Sequence, residues 1–100
     1  MKNNIALIGF MGAGKSTVGK KLAAALGCGF IETDRLIEQQ SGMTVSGVFQ
    51  SGGEAGFREI EEEVIKSVAG TTDKSVIACG GGTVVRPANI ERLQKAATII

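Results

Sequence analysis

The 100-residue sequence contains no histidine, tryptophan or tyrosine, and a single proline. Without histidine the commonest general base and metal ligand is missing, so acid–base chemistry falls to carboxylates. Four phenylalanines make up the aromatics, too few to furnish a row of stacking platforms for unstacked bases. Neither sign of charge dominates: eleven Lys and Arg against ten Asp and Glu leave a formal +1. That balance gives no general electrostatic pull toward nucleic acid or an anionic membrane. Long hydrophobic runs are also missing. The first run, Ile5 to Ile8, is stopped by Gly9 and is too short for a signal segment or a spanning helix. Cys28 and Cys79 lie far apart in apolar stretches without CxxC spacing. They are expected to be buried thiols in a reducing compartment, and the chain reads as cytoplasmic.

What the chain does have is glycine, fifteen residues of it, gathered in clusters that mark special backbone positions. Ile5-Ala6-Leu7-Ile8 reads as a strand buried on both faces. A helical pattern follows, with Val18, Leu22, Ala25 and Leu26 expected on its inward face and Gly27 as its C-terminal cap. Phe30-Ile31 makes a second strand, and a helix runs from about Arg35 to Gln40. Thr44 is placed to cap a short helix through Phe49, and Gly52-Gly53 to break it. The longest helix carries Phe57, Ile60, Val64, Ile65 and Val68. Ser75 to Cys79 reads as a third strand, Pro87 as the first turn of a helix with Ile90 and Leu93 inward, and Ala97 to Ile100 as the start of a fourth strand. Alternating strands and helices predict one α/β domain over residues 1–100 with a parallel sheet. Together with the G-x-x-x-x-G-K-[ST] match at Gly9 to Ser16, the expected fold is of the P-loop NTPase type, three-layer α/β/α. The apolar C-terminus resembles a strand cut midway, so a piece of a longer chain is expected.

Gly9-Phe10-Met11-Gly12-Ala13-Gly14-Lys15-Ser16 fits the phosphate-binding pattern G-x-x-x-x-G-K-[ST]. Backbone N–H groups from Gly12 to Thr17 would cradle the phosphates of ATP, aided by the positive end of the following helix. Lys15 would reach the β- and γ-phosphates, and the Ser16 hydroxyl would take a place on Mg²⁺. The third strand ends in Gly80-Gly81-Gly82 where many NTPases carry a metal-binding Asp, and no guanine-reading motif occurs. Acids stand earlier, as Glu32 and Asp34 at the end of the second strand. Strand alternation would aim both at the ligand crevice, one toward the metal and the other toward an attacking hydroxyl. Asp34 is also well placed to cap a helix starting at Arg35. Arg58 is suited to clamp a carboxylate, or to pair with Glu61 or Glu62 on its own helix. The triple glycine admits close approach of a ligand to backbone, or serves as a flexible turn.

In order and spacing these features resemble the shikimate kinase family: the strand and P-loop from Ile5 to Thr17, Glu32-Thr33-Asp34, Gly53-Glu54, Phe57-Arg58 with Glu61, and Gly80-Gly81-Gly82. The resemblance covers essentially the whole chain. It implies ATP- and Mg²⁺-dependent phosphorylation of the 3-hydroxyl of shikimate. Lys15 and Asp34 would be catalytic, Arg58 would hold the substrate carboxylate braced by Glu61, Phe57 would pack on the ring, and Gly80, Gly81 and Gly82 would line the pocket. Ser16 and Glu32 would serve the metal. Glu32 departs from the family's usual Asp, and Gly56 from a longer polar residue, which weakens its helical turn by ~1 kcal/mol. The family's lid, a second carboxylate-binding arginine and the adenine-contacting segment would lie beyond Ile100, so residues 1–100 alone are expected to turn over poorly. Other readings are a gluconate-type small-molecule kinase and a non-catalytic sensor module. A monomer is expected, with no nucleic-acid or membrane partner.

Overall fold

The computed structural model describes residues 3–8, 14–80, 82–83 and 86–99, and the side chains of 14–16 fall outside that description. The described residues form strands β1 (Asn4–Leu7), β2 (Gly29–Glu32), β3 (Ser75–Ala78) and β4 (Ala97–Ile99). Between them lie helices α1 (Gly14–Leu26), α2 (Thr33–Ser41), α3 (Val45–Thr71) and α4 (Pro87–Ala96). Every strand pairing is parallel, in the order β2-β3-β1-β4. Period-two alternation sorts the strand side chains between two faces. On one face Leu7 and Val76 pack with Ala23 of α1, joined by Ile5, Leu22 and Phe30. On the other, Ala6, Ile77 and Cys79 meet Ile37, Phe57, Ile65 and Leu93 from α2, α3 and α4. Both faces are therefore covered, which is why β1 and β3 read as continuous apolar runs.

β1 and β3 are neighbours, yet the chain leaves β1 for the β2 edge and leaves β3 for the β4 edge. Such a reversal opens a crevice at the carboxyl ends of the two strands. The amino ends are tied by Asn4, which donates through Nδ2 to the carbonyls of Thr72 and Ala96 and accepts from Ser75 N–H.

The inward face of α1 differs from the sequence expectation. Val18 and Leu26 are about half exposed, whereas Ala23 is buried and Gly19 faces the sheet. A Cβ at Gly19 would stand 2.5 Å from the Phe30 ring. Small residues four apart let this helix approach the sheet closely, so the contact is set by size rather than by hydrophobicity. The helix ends as expected at Gly27, whose φ is +67°. Gly27 N–H bonds to Ala24 O and Cys28 N–H to Ala23 O, the paired bonds of a Schellman cap. Cys28 is half-buried rather than buried, Cys79 is fully buried, and neither is in a disulfide.

Helix α2 starts two residues earlier than the sequence suggests, at Thr33 with Glu32 as N-cap residue. Asp34 accordingly sits in the first turn of α2 and is not the N-cap residue of a helix starting at Arg35. Thr44 caps α3 by accepting from Gly47 N–H at 3.1 Å. The expected break falls at Gly53, whose φ of 67° and ψ of −171° are not helical, so α3 is two helical segments meeting at a kink. Beyond the kink, a Cβ at Gly56 would meet no heavy atom within 4 Å. Replacing Gly56 with alanine is expected to raise unfolding stability by about 0.5–1 kcal/mol, read in urea, because unfolded-state entropy falls and nothing clashes.

Glu62 fastens the outer end of this region. Its carboxylate takes Arg86 at 3.2 Å and Arg92 at 3.5 Å, so α3 is joined to the segment after β3 and to α4. The hydrogen bond from Arg86 holds its pKa below the usual glutamate value, helped by the charges of Arg86 and Arg92 and opposed by desolvation. A folded-state pKa below the unfolded one stabilises above the unfolded value and is lost as pH falls through the folded one. The stability advantage of the unmodified protein over Glu62→Gln is therefore expected at neutral pH and should close in acid, below the ordinary glutamate range. Urea unfolding at a series of pH values checks this.

Candidate functional site

The glycine turn after β3 lies at the carboxyl ends of the strands, and three charged groups, Asp34, Glu61 and Arg58, converge on it. Asp34 reaches it from the first turn of α2. A Cβ at Gly80 would stand 2.8 Å from Asp34 Oδ1 and 3.2 Å from Glu61 Oε2. Arg58 reaches it from α3, and a Cβ at Gly82 would collide with both terminal nitrogens and Cζ of its guanidinium. Glycine at 80 and 82 is what lets a carboxylate and a guanidinium lie against backbone.

Thr33 locks the turn to the sheet. Its hydroxyl accepts from Gly80 N–H at 3.2 Å and donates to Ala78 O at 3.4 Å. Cys79 N–H bonds to Leu7 O, closing the β1 side.

The Arg58 side chain is 14% exposed. One terminal nitrogen donates to Glu61 Oε1 at 3.0 Å and the other to Glu54 Oε2 at 3.5 Å. The guanidinium also stands 5.3 Å from the centroid of the Phe57 ring, within cation–π range. Of the two helix partners open from spacing, Arg58 takes Glu61, while Glu62 is engaged by Arg86 and Arg92. Glu61 is fully buried, and its second oxygen accepts from the Thr83 hydroxyl at 3.2 Å. Phe57 is buried and stacks on Phe49 with centroids 4.4 Å apart.

Glu32 stands at the end of β2 with its side chain 23% exposed, 4.0 Å from Arg35 Nε. Because the helix begins at Thr33, strand alternation does not govern the direction of Asp34, and the two acids leave different elements. Among the described residues no group of three or more His, Cys, Asp or Glu is arranged to hold a metal by itself. No described helix is long and apolar enough to cross a membrane. A shallow groove of about 300 Å³ between α2 and α3, lined by Leu36, Gln39, Gln40, Val64, Ser67 and Val68, carries no charged side chain.

Gly9 to Ala13 and Gly81 lie outside the described residues, as do the side chains of Gly14, Lys15 and Ser16. Thr17 is exposed on the first turns of α1. Thr33 and Glu54 stand inside the segments that carry the family resemblance but were given no role from sequence, and Thr83 was not singled out at all. A polar residue closing a buried strand was the one available signal for Thr33.

Strand β1, a glycine-rich connection, helix α1 and a charged crevice at the strand ends define an α/β protein of the P-loop type. The chain belongs to the shikimate kinase family, whose model matches residues 11–100. It is 49% identical over 96 residues to the shikimate kinase of Thermodesulfovibrio yellowstonii, covering 96% of this chain and 55% of that one. It is 44% identical over 100 residues to the shikimate kinase of Moorella thermoacetica, covering all of this chain and 57% of that one. The fold matches the structure of shikimate kinase from Acinetobacter baumannii in complex with shikimate at a TM-score of 0.91 and 40% identity, covering 96% of this chain and 53% of that one. The shikimate kinase structure from Bacteroides thetaiotaomicron matches at 0.90 and 38% identity, covering 99% and 56%. The chain thus spans about half the length of the relatives it matches.

Proposed function

We propose that the protein carrying this chain transfers a phosphoryl group from ATP to the 3-hydroxyl of shikimate. The observation that carries the reading is the meeting of the Asp34 carboxylate and the Arg58 guanidinium at the Gly80–Gly82 turn. A substrate with a carboxylate at one end and a reacting hydroxyl at the other needs that pair of groups. Arg58 binds the carboxylate, a role suited to a planar fork of donors. Its buried Nε has no hydrogen-bond partner among the described residues, so the guanidinium has donor capacity beyond Glu61 and Glu54. Asp34 orients the attacking hydroxyl and takes its proton as oxygen bonds to the γ-phosphorus and the bond to the bridging oxygen breaks. Phe57, Gly80, Gly81 and Gly82 shape the pocket. Residues 1–100 supply the nucleotide-phosphate and substrate-binding parts of one domain.

The residues fit ATP and Mg²⁺. The glycine-rich connection feeds the N-terminus of α1 at Gly14, a natural anion site. Gly12, Ala13, Gly14 and Thr17 would cradle the phosphates, and Lys15 would neutralise their charge. Ser16 and the Glu32 carboxylate would be the hard oxygen donors for Mg²⁺, which is commonly held by one or two protein oxygens plus phosphates and waters. When bound, the metal offsets charge building on the transferring group. A cytoplasmic monomer without nucleic-acid or membrane partners fits the balanced charge.

The test is shikimate-dependent ADP release from Mg-ATP, using the open reading frame that carries this chain read to its stop codon, with Lys15→Ala as control. Release that disappears in the control is expected. No release from a folded product would remove shikimate as substrate and move the search to gluconate and to sensor roles.

A further inference from the structure

The buried polar chain behind Arg58 continues past Glu61 into the segment after the glycine turn. Thr83 is fully buried and held at three points. Its N–H bonds to Gly80 O at 3.1 Å, and its carbonyl accepts from the Asn89 side chain at 3.1 Å. Its hydroxyl donates to Glu61 Oε2 at 3.2 Å. Asn89, also fully buried, lies in the first turn of α4 just after Pro87, so a rigid helix start fixes the Thr83 backbone. Oε2 of Glu61 is thereby assigned to Thr83 and Oε1 to Arg58.

We propose that Thr83 is a positioning residue for the substrate carboxylate, acting through Glu61 on the Arg58 guanidinium. The proposal rests on reading Arg58 as the carboxylate clamp. A buried carboxylate with four lone-pair sites seeks donors for both oxygens. Without the Thr83 hydroxyl, Oε2 would turn to the nearest donor, the guanidinium. A fork-to-fork pair would then draw Arg58 toward Glu61 and away from Gly82. Thr83 thus keeps part of the guanidinium uncommitted, at the turn where a ligand carboxylate would arrive.

Steady-state kinetics of Thr83→Val and Thr83→Ser in the full open reading frame test this, with thermal unfolding recorded alongside. Thr83→Val keeps the shape and removes the hydroxyl; its KM for shikimate is expected to rise about tenfold, the scale of one lost hydrogen bond to a charged group. Its KM for ATP and its kcat should stay within about twofold. Thr83→Ser should restore the shikimate KM. If Thr83→Val does not fold, Thr83→Ala is read in the same way. A lowered melting temperature with an unchanged shikimate KM would make Thr83 structural only and overturn the proposal, as would Thr83→Ser matching Thr83→Val. An unmodified protein that ignores shikimate removes the underlying function instead, so the two failures are distinguishable.

Discussion

Asp34→Asn is expected to lower kcat for shikimate phosphorylation by about 10²- to 10⁴-fold, with the KM for shikimate changed only a few-fold. General-base catalysis by one positioned group contributes on that scale. Asparagine keeps the shape and one acceptor of the carboxylate but cannot take the proton. Stability cannot account for a loss of this size. Asp34 sits in the first turn of α2 and is exposed, where an acid interacts favourably with the helix N-terminus by only about 0.3–1 kcal/mol. That is a small part of the stability of a typical domain, so the variant should remain folded under assay conditions. Steady-state kinetics with a melting curve on the same preparation checks both halves. A kcat within fivefold of the unmodified protein would take Asp34 out of the chemistry and leave it as a helix-start acid.

The legible part of the fold is the part governed by local chemistry. Buried parallel strands must be continuous apolar runs, so β1 and β3 stand out in the sequence. Gly27 and Gly42 end α1 and α2 because each adopts a positive φ there, and Thr44 announces its capping role by type and place. What could not be read depends on contacts between distant segments. The inward face of α1 is chosen by the Phe30 ring lying over Gly19, and no pattern within α1 records that ring. The direction of Asp34 was argued from strand alternation, yet the chain turns helical at Thr33. Spacing offered Arg58 two glutamates and could not choose between them. The choice is made by Arg86 and Arg92, which occupy Glu62, and by Thr83, which joins Glu61 across 22 residues. Gly80 and Gly82 were legible as a place of close approach. What approaches them, a carboxylate at one and a guanidinium at the other, needed the structure.

That close approach gives the second large effect. Gly82→Ala is expected to raise the KM for shikimate by about 100-fold while moving the melting temperature by only a few degrees. The added methyl would occupy the space of the Arg58 guanidinium. Two atoms cannot share that volume, so one must yield, and the movable one is the end of a long, flexible side chain. The helix backbone carrying Arg58 need not shift, and the core beneath it, with Phe57, Ile65 and Leu93 buried, is untouched. The cost to folding is therefore modest, whereas the cost to binding is large. Displacing one partner of a desolvated charge pair costs on the order of 2–5 kcal/mol, and about 2.7 kcal/mol corresponds to 100-fold in affinity. Because Arg58 is read as serving the substrate carboxylate and not the nucleotide, the KM for ATP should hold. Arg58→Lys makes the matching control. It retains the charge but lacks the planar fork, so it should also bind shikimate poorly, and adding Gly82→Ala to it should cost far less than Gly82→Ala alone. Full additivity of the two changes would mean that Gly82 acts on the substrate directly and not through Arg58.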